Sequence, residues 1–335
     1  MAAYKGIKGY NVQSRASDPT ANEGQIWYNT ATDALKYDTV GAGAWASGGD
    51  MSTGRSTLGA AGGSNSSGIA MGGVAPPPGT VLNSAEKYNG TAWSATGAMV
   101  NPRRYFSGLG IETSAMSCGG ISTPGVINKT ESFDGSTWTE GNDLVRAAAP
   151  QKATRMGGFG TATSALVMGG DESAAQLALC EKYDGTCWSE VADLLQTQSY
   201  GFSSGQTGTS GLFMGGYTNP PWAQTTASGE WNDVCWTATP GINTARDSGG
   251  FSVYGLVTQA MIVAGRVPPP NSTLCEIYNG TTWTEVADCS TGRYYCSGSG
   301  TGTSALVMGG YAIPSLATTE EWDGAPAVVK TVTVS

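Results

Sequence analysis

The segment TSALVMGG occurs twice in the chain, at Thr163–Gly170 and again at Thr303–Gly310. Four weaker copies share its apolar run and its closing small residues, and they end at Gly73, Gly120, Gly216 and Gly265. The first closing residue of each copy recurs every 45 to 50 residues, at Gly72, Gly119, Gly169, Gly215, Ala264 and Gly309. A period of this length predicts a repeat protein in which each unit buries an apolar face against its neighbours.

A second element follows each copy and reads Glu-x-aromatic-Asp/Asn-Gly-x-x-Trp, in places imperfectly. Its tryptophans are Trp93, Trp138, Trp188, Trp236 and Trp283. The last copy, Trp322–Gly324, has Ala327 in place of the tryptophan, whereas Tyr37-Asp38 with Trp45 forms an extra copy upstream. We expect each tryptophan to pack between neighbouring repeats.

A third element is an arginine ten residues after the tryptophan, at Arg55, Arg103, Arg246 and Arg293. Ala148 and Gln198 interrupt the series. We expect these arginines to bind loop carbonyls near the centre of the molecule, and the alternative is an anion site.

These elements predict four short antiparallel strands per repeat. The runs before the glycine pair are typical of strands buried on both faces. Asn-Gly and Asp-Gly favour hairpins with type I′ turns, and the tryptophan begins the outer strand. Four such strands in about 47 residues are typical of one propeller blade. The sequence therefore predicts an all-β fold, a β-propeller.

The blade count depends on the two ends of the chain. Six glycine segments give six blades, and the hairpin within residues 24–48, together with the C-terminal run 327–334, favours a seventh. In the alternative the propeller has six blades, the C-terminal run completes the last one, and the hairpin lies outside the ring. We accordingly divide the chain into an N-terminal arm (1–23) and a propeller (24–335), with a partial closing blade at 24–48 and six repeats from about 55 onward.

Glycine pair, Tyr-Asp, Trp and Arg in this order resemble the Kelch repeat, over roughly Trp45 to Gly324. The run GQIWYNT (Gly24–Thr30) looks like a segment of tail-fibre and other virion proteins of tailed bacteriophages. Glycine-rich Kelch-like arrays ending in a run similar to Lys330–Ser335 are familiar from marine phages. These resemblances imply a virion protein assembled in the host cytoplasm, which binds other virion proteins through its N-terminal arm.

The composition argues against several classes of function. The chain has 17 Lys plus Arg, a net charge of −9 and no histidine. The small number of Lys and Arg side chains disfavours binding to nucleic acid and to anionic membranes. A Ser-His-Asp catalytic site is excluded because the chain has no histidine. No segment has the apolar length of a signal peptide or membrane span. The seven cysteines form no Cys-x-x-Cys pair; we expect buried, reduced thiols, although one or two disulfides stay open. We expect no cofactor and no metal.

Function is expected on the loops after the glycine pairs, which are long, variable and rich in proline. Aromatic residues and arginine dominate binding interfaces, so the candidate contacts are Tyr217, Trp222, Arg266 and Tyr311. We expect a non-enzymatic virion module that attaches to a host glycan or protein receptor, or docks neighbouring virion proteins. The alternatives are a soluble carbohydrate- or protein-binding Kelch-like module and, less favoured, a propeller glycosidase.

Overall fold

The computed structural model describes most of the chain. The described residues are 12–17, 26–39, 43–76, 79–123, 125–145, 154–172, 175–218, 223–251, 254–267, 271–324 and 328–332. They form two compact units, the larger from Trp45 to Asp323 and the smaller from Met1–Ala44 together with Gly324–Ser335. No helix in these residues is long and apolar enough to cross a membrane.

The described residues contain 32 strands. The first twelve are β1 (Gln13–Arg15), β2 (Ile26–Asn29), β3 (Ala34–Thr39), β4 (Ala44–Ser47), β5 (Gly59–Ser64), β6 (Ser67–Met71), β7 (Ala85–Tyr88), β8 (Trp93–Thr96), β9 (Ser107–Ile111), β10 (Ser114–Cys118), β11 (Thr130–Phe133) and β12 (Trp138–Glu140). The next twelve are β13 (Gly157–Thr161), β14 (Ser164–Met168), β15 (Asp171–Glu172), β16 (Ala175–Gln176), β17 (Cys180–Tyr183), β18 (Trp188–Val191), β19 (Phe202–Thr207), β20 (Ser210–Met214), β21 (Tyr217–Thr218), β22 (Ala223–Gln224), β23 (Ser228–Trp231) and β24 (Trp236–Thr239). The last eight are β25 (Gly250–Phe251), β26 (Ala260–Val263), β27 (Cys275–Tyr278), β28 (Trp283–Val286), β29 (Ser297–Thr301), β30 (Ser304–Met308), β31 (Thr319–Asp323) and β32 (Val328–Thr331).

The larger unit is a propeller of six four-stranded sheets among the described residues. Blades 1 to 6 are β5-β6-β7-β8, β9-β10-β11-β12, β13-β14-β17-β18, β19-β20-β23-β24, β25-β26-β27-β28 and β29-β30-β31-β4. The inner strands contact one another in a ring, because β5 touches both β9 and β29, and each later inner strand touches the next. The propeller prediction is thereby confirmed.

The favoured count of seven blades is wrong: the ring has six blades, as in the alternative, but the C-terminal run does not complete the last blade as that alternative expected. Strand β4 is the outer strand of blade 6. Its Trp45 supplies the tryptophan of this blade, because the last repeat has Ala327 at the tryptophan position. The C-terminal strand β32 does not complete this blade; it pairs with β3 in a separate sheet, β1-β2-β3-β32. The predicted partial blade at 24–48 is therefore divided between two sheets. Within the predicted arm, Gln13–Arg15 runs parallel to β2.

The hairpins between third and fourth strands differ from the predicted type I′ turns. In blade 1, Tyr88 pairs with Trp93, so four residues form the loop. The Asn89 side chain accepts hydrogen bonds from the amides of Thr91 and Ala92, at 3.0 and 2.9 Å. Asparagine and aspartate favour this local turn, and of the Asn-Gly pair only Gly90 has a positive φ, 88°.

The inner strands are rich in glycine because neighbouring backbones approach each other closely. A Cβ on Gly108 in β9 would lie 2.6 Å from the Ala60 nitrogen and 2.7 Å from its oxygen, in the adjacent strand β5. These contacts involve backbone atoms, which cannot move aside as a flexible side chain can. Small residues thus allow six strands to converge on one axis.

The apolar core lies between the blades. Trp138 opens the outer strand of blade 2, stacks on Phe133 at 5.0 Å between ring centroids, and packs with Ile69 and Met71 of blade 1. The corresponding tryptophans begin their outer strands in blades 1, 3, 4 and 5, whereas Trp45 is the second residue of β4. Burying an apolar side chain contributes about 1.5–3 kcal/mol, and these clusters bury residues that one blade alone would leave exposed.

The repeat arginines form buried ion pairs with the glutamate of the third strand. The pairs are Arg55–Glu86, Arg103–Glu131, Arg246–Glu276 and Arg293–Glu320. Each arginine also binds loop carbonyls; Arg293 donates to the carbonyls of Gly309 and Thr318, both at 3.0 Å. A buried charge is stabilised by an opposite charge and hydrogen bonds of this kind.

All seven cysteines lie among the described residues and are free thiols. Cys118, Cys180, Cys275, Cys289 and Cys296 are buried, whereas Cys187 and Cys235 are exposed. Burial raises the pKa of Cys296 to about 12. Most of the thiols therefore behave as small apolar core residues.

Candidate recognition face

One end of the propeller carries the long loops. The chain leaves each second strand there and returns to begin the third strand, and the linkers between blades lie at the same end because the strands are antiparallel. The loops span residues 72–84, 119–129, 169–179, 215–227, 264–274 and 309–318. We call this end the loop face. It includes the small hairpins β15–β16 and β21–β22.

A closed ring of backbone hydrogen bonds surrounds the axis on this side. The residue two positions before each inner strand has a positive φ, between 52° and 59°. These six residues are Thr57, Tyr105, Arg155, Tyr200, Ser248 and Tyr295. The amide of each donates to the carbonyl of its counterpart in the preceding blade, at 2.6 to 3.0 Å, and Thr57 donates to Tyr295 to close the ring. Left-handed conformations are uncommon for residues other than glycine. The hydrogen bonds of the ring stabilise these six residues in that conformation.

Three tyrosines of this ring meet at the axis. Their ring centroids are separated by 5.5 Å (Tyr105–Tyr295), 5.8 Å (Tyr200–Tyr295) and 6.2 Å (Tyr105–Tyr200). The Arg155 guanidinium lies 4.7 Å from the centroid of Tyr105 and 4.8 Å from that of Tyr200, which is a cation–π geometry. We call these three tyrosines and Arg155 the axial cluster. A cavity of about 70 Å³ lies at this cluster and is lined by residues from all six blades.

Two of the axial tyrosines, Tyr105 and Tyr200, have a raised pKa and stay neutral hydrogen-bond donors at physiological pH. Burial, followed by the charge of the neighbouring Tyr295, raises the pKa of Tyr105 to about 12, and burial also raises the pKa of Tyr200. Arg155 is held in place by Asp171, whose Oδ2 lies 2.6 Å from its Nη1. The cluster therefore offers ring surfaces and phenol hydroxyls for binding.

Two of the predicted contact residues meet on adjacent blades. The Arg266 guanidinium of blade 5 lies 5.6 Å from the ring centroid of Tyr217 in blade 4. Arg266 also pairs with the buried Asp247, with 3.1 Å between its Nη2 and Oδ2. This pair fixes the guanidinium against the tyrosine ring. Trp222, the third predicted contact, lies outside the described residues.

The fourth predicted contact is Tyr311 of blade 6, which lies near the axial cluster through Tyr294. Its ring lies edge-on to Tyr294, with 5.5 Å between centroids, and Tyr294 lies 4.7 Å from Tyr295 of the axial cluster. We call Tyr217, Arg266, Tyr294 and Tyr311 the aromatic arc. The arc and the axial cluster together form the candidate site.

The spacing of the axial tyrosines in the sequence is a signal for their shared position. Tyr105, Tyr200 and Tyr295 follow one another at intervals of 95 residues, which is two repeats. Each stands two positions after the repeat arginine or after Gln198, which replaces it. Identical residues at one position of alternate blades indicate a shared place at the axis. No cluster of three or more potential metal-ligating side chains occurs within the described parts of the chain.

The comparisons with known proteins support the fold. A solved structure titled "Structure of YjhT" is similar to this chain with a TM-score of 0.65 and 14% sequence identity, over 84% of this chain and 99% of that one. At this identity the similarity shows the fold alone. No protein-family model matches the chain, and no curated protein matches it. The chain is thus a β-propeller protein.

Proposed function

We propose that the chain is a structural protein of a bacteriophage virion, whose Kelch-like propeller attaches to the host surface and acts by binding rather than by catalysis. The observation that carries the binding role is the concentration of tyrosine and arginine on the loop face. Aromatic residues and arginine dominate the energetics of interfaces. The virion role rests on the resemblance of Gly24–Thr30 to segments of tail-fibre proteins.

A host-surface glycan is the receptor that fits this face best. Tyr217, Tyr294 and Tyr311 are half-buried, so each combines an apolar ring with a polar hydroxyl. A tyrosine ring can cover the apolar C–H face of a sugar while hydroxyl groups exchange hydrogen bonds. Arg266 is already positioned by Asp247, so little conformational entropy is lost when it binds.

The receptor proposal is tested by binding of the purified protein to host cells and to a glycan array. We expect Tyr217→Ala with Tyr311→Ala to weaken binding about tenfold or more, because aromatic contacts at interfaces often contribute more than 1 kcal/mol each. Trp222→Ala is a further variant, chosen from the sequence. The control is Val234→Ala, since Val234 is 75% exposed in a turn at the opposite end of the propeller. Unchanged binding by the double variant would contradict the proposal.

The virion role has a separate test. Mass spectrometry of purified particles, with antibody labelling in electron micrographs, should find the chain on the particle surface. If the chain is missing from particles but still binds glycans through the aromatic arc, the alternative of a soluble carbohydrate-binding module replaces the virion proposal. Docking through the N-terminal arm is tested by deleting residues 1–23 and measuring incorporation into particles.

A further inference from the structure

A glutamate side chain occupies the same position in five blades and binds the linker that enters its blade. In blade 2, Glu131 accepts hydrogen bonds from the backbone amides of Val100 and Asn101, at 2.7 and 3.0 Å. In blade 5, Glu276 accepts from the amides of Asn243 and Thr244, at 2.7 and 3.3 Å. The remaining three are Glu86 with the Ser52 amide, Glu181 with the Val145 amide and Glu320 with the Ser290 amide. The linker amides therefore form a carboxylate-binding site that the protein fills from its own chain.

Blade 4 has the same backbone without the glutamate. Gly229 stands at this position, because it pairs with Ala238 of the outer strand as Glu131 pairs with Glu140 in blade 2. Gln198 replaces the arginine and retains one of its bonds, since Nε2 donates to the Gly215 carbonyl at 2.6 Å. The arginine–glutamate pair of blades 1, 2, 5 and 6 thus lacks both of its members in blade 4.

The linker amides of blade 4 are left open. Leu194 corresponds to Met99, because its amide binds the Ala178 carbonyl as that of Met99 binds the Asn83 carbonyl. Leu195 and Gln196 therefore correspond to Val100 and Asn101, whose amides bind the Glu131 carboxylate. Among the described residues, neither the Leu195 amide nor the Gln196 amide has a hydrogen-bond partner.

A cavity of about 240 Å³ occupies the place of the missing side chains. Its lining includes Leu195, Gln196, Gln198, Phe213, Gly229 and Trp236. A Cβ on Gly229 would meet nothing closer than the Trp236 Cε3 atom, at 3.5 Å, so the space begins at the glycine itself. The hydroxyl of Ser228, which also lines the cavity, is buried without a partner in the described part of the chain.

We propose that this cavity binds a small carboxylate with an apolar body. The carboxylate accepts hydrogen bonds from the amides of Leu195 and Gln196, and the body lies against Trp236 and Phe213. The glutamate side chain that five blades provide corresponds, from its Cβ outward, to propionate. The cavity is larger than propionate, because the arginine side chain is absent as well, and so it also admits a ring such as that of benzoate.

The site binds through neutral donors. Amide N–H groups favour a carboxylate over a neutral ligand because hydrogen bonds to charged acceptors are about twice as strong as those between neutral groups. The corresponding neutral amides, propionamide and benzamide, have the same shape and lack the charge. They are therefore matched control ligands.

The experiment measures benzoate and propionate binding by NMR titration of the ¹⁵N-labelled full chain. We expect the amide resonances of Leu195 and Gln196 to shift on saturation with benzoate, and benzamide to bind at least about tenfold more weakly. No shift at these amides, or equal affinity for benzoate and benzamide, would overturn the proposal. This measurement uses the native chain and does not depend on any variant.

Two variants provide a second test by calorimetry. Gly229→Glu with Gln198→Arg introduces the ion pair found in blades 1, 2, 5 and 6, so the new glutamate carboxylate should occupy the amides and abolish benzoate binding. Gly229→Ala adds one methyl group and leaves the amides open, so binding should persist. Undiminished binding by the folded double variant would place the ligand elsewhere and refute the site.

Discussion

At the scale of single residues, the buried arginine–glutamate pairs show how one position depends on another. Both side chains of the Arg103–Glu131 pair are fully buried. Removing one partner of such a pair leaves a charge without compensation, which is far more costly than replacing both. Blade 4 has lost both members of its pair, with Gln198 and Gly229 in their places.

The first prediction concerns the pair in blade 5. Glu276→Gly should lower the free energy of unfolding by about 3–5 kcal/mol, because Arg246 remains buried without its carboxylate. Adding Arg246→Gln, which reproduces the combination in blade 4, should recover part of this loss. Urea unfolding of both single variants and the double variant measures the coupling. A double variant that loses as much as the sum of the single variants would contradict the account.

The second prediction concerns Asp134 in the exposed turn of blade 2. Its carboxylate accepts backbone hydrogen bonds from Thr137 and Ser136, at 2.8 and 2.9 Å, and bonds from both hydroxyls. These bonds hold the pKa of Asp134 below its usual value of 3.8. Because the folded pKa is depressed, the stabilisation is complete above the unfolded pKa and is lost as the pH falls through the folded pKa.

Asp134→Asn tests this pH dependence, since Asn89, Asn232 and Asn279 occupy the same position in other blades. We expect the native protein to exceed the variant in stability near neutral pH and this difference to shrink as the pH falls below about 4. Urea midpoints of both proteins across this range provide the measurement. A difference that is constant with pH would show that the charge contributes nothing.

At the scale of elements, the backbones of neighbouring inner strands lie so close together that Gly108 has no room for a side chain. The third prediction is that Gly108→Ala lowers the free energy of unfolding by about 1–3 kcal/mol or more, since the new Cβ would overlap the Ala60 backbone. Gly63→Ala in β5 is the control, because its nearest neighbour would lie at 3.8 Å. Equal thermal stability of the two variants would contradict the steric account.

Much of each blade was predictable from local sequence, whereas pairing between distant segments was not. The runs before the glycine pairs and the strands that begin at tryptophan follow from apolar and β-branched patterns. The hairpin Ile26–Asp38 carries the same Tyr-Asp signal as the repeats but pairs with β32 outside the ring. Local sequence pattern cannot distinguish a partner strand in the ring from β32, so it predicts one blade too many.

The candidate site was partly accessible to sequence reasoning. Tyr217, Arg266 and Tyr311 can be proposed from the sequence because they lie in variable loops. Their ion pairs and ring contacts depend on adjacent blades, which no single repeat contains. The axial tyrosines were missed because their position follows from the hydrogen-bonded ring, and that ring forms only when all six blades are in place.

At the scale of the whole molecule, closure depends on a strand from the other end of the sequence. Trp45 in β4 packs on Trp322 of β31, with 5.4 Å between ring centroids, and its Nε1 donates to the Ala287 carbonyl at 2.9 Å. These contacts join the first strand of the unit to its last. Without them, β31 would be an open sheet edge.

The fourth prediction is that Trp45→Ala destabilises the propeller by about 2–4 kcal/mol, through lost packing at the closing blade. The expected signature is faster hydrogen exchange in blade 6 than in blade 3, because the ring opens first where β4 leaves β31. Hydrogen-exchange mass spectrometry gives the comparison. Uniform acceleration in all blades would show that closure is no weaker than the remaining interfaces.

The closing strand also brings the two ends of the propeller segment together, so that the whole segment could be replaced by another. Because Trp45 and Trp322 are neighbours, the polypeptide enters and leaves the ring at adjacent points of one blade. A segment whose ends meet in this way can be replaced by another with the same separation of ends while the flanking sequence keeps its own pairing. Replacing residues 45 to 323 by another propeller with the same separation of ends would therefore exchange the proposed recognition face and leave the residues of the sheet β1-β2-β3-β32 unchanged.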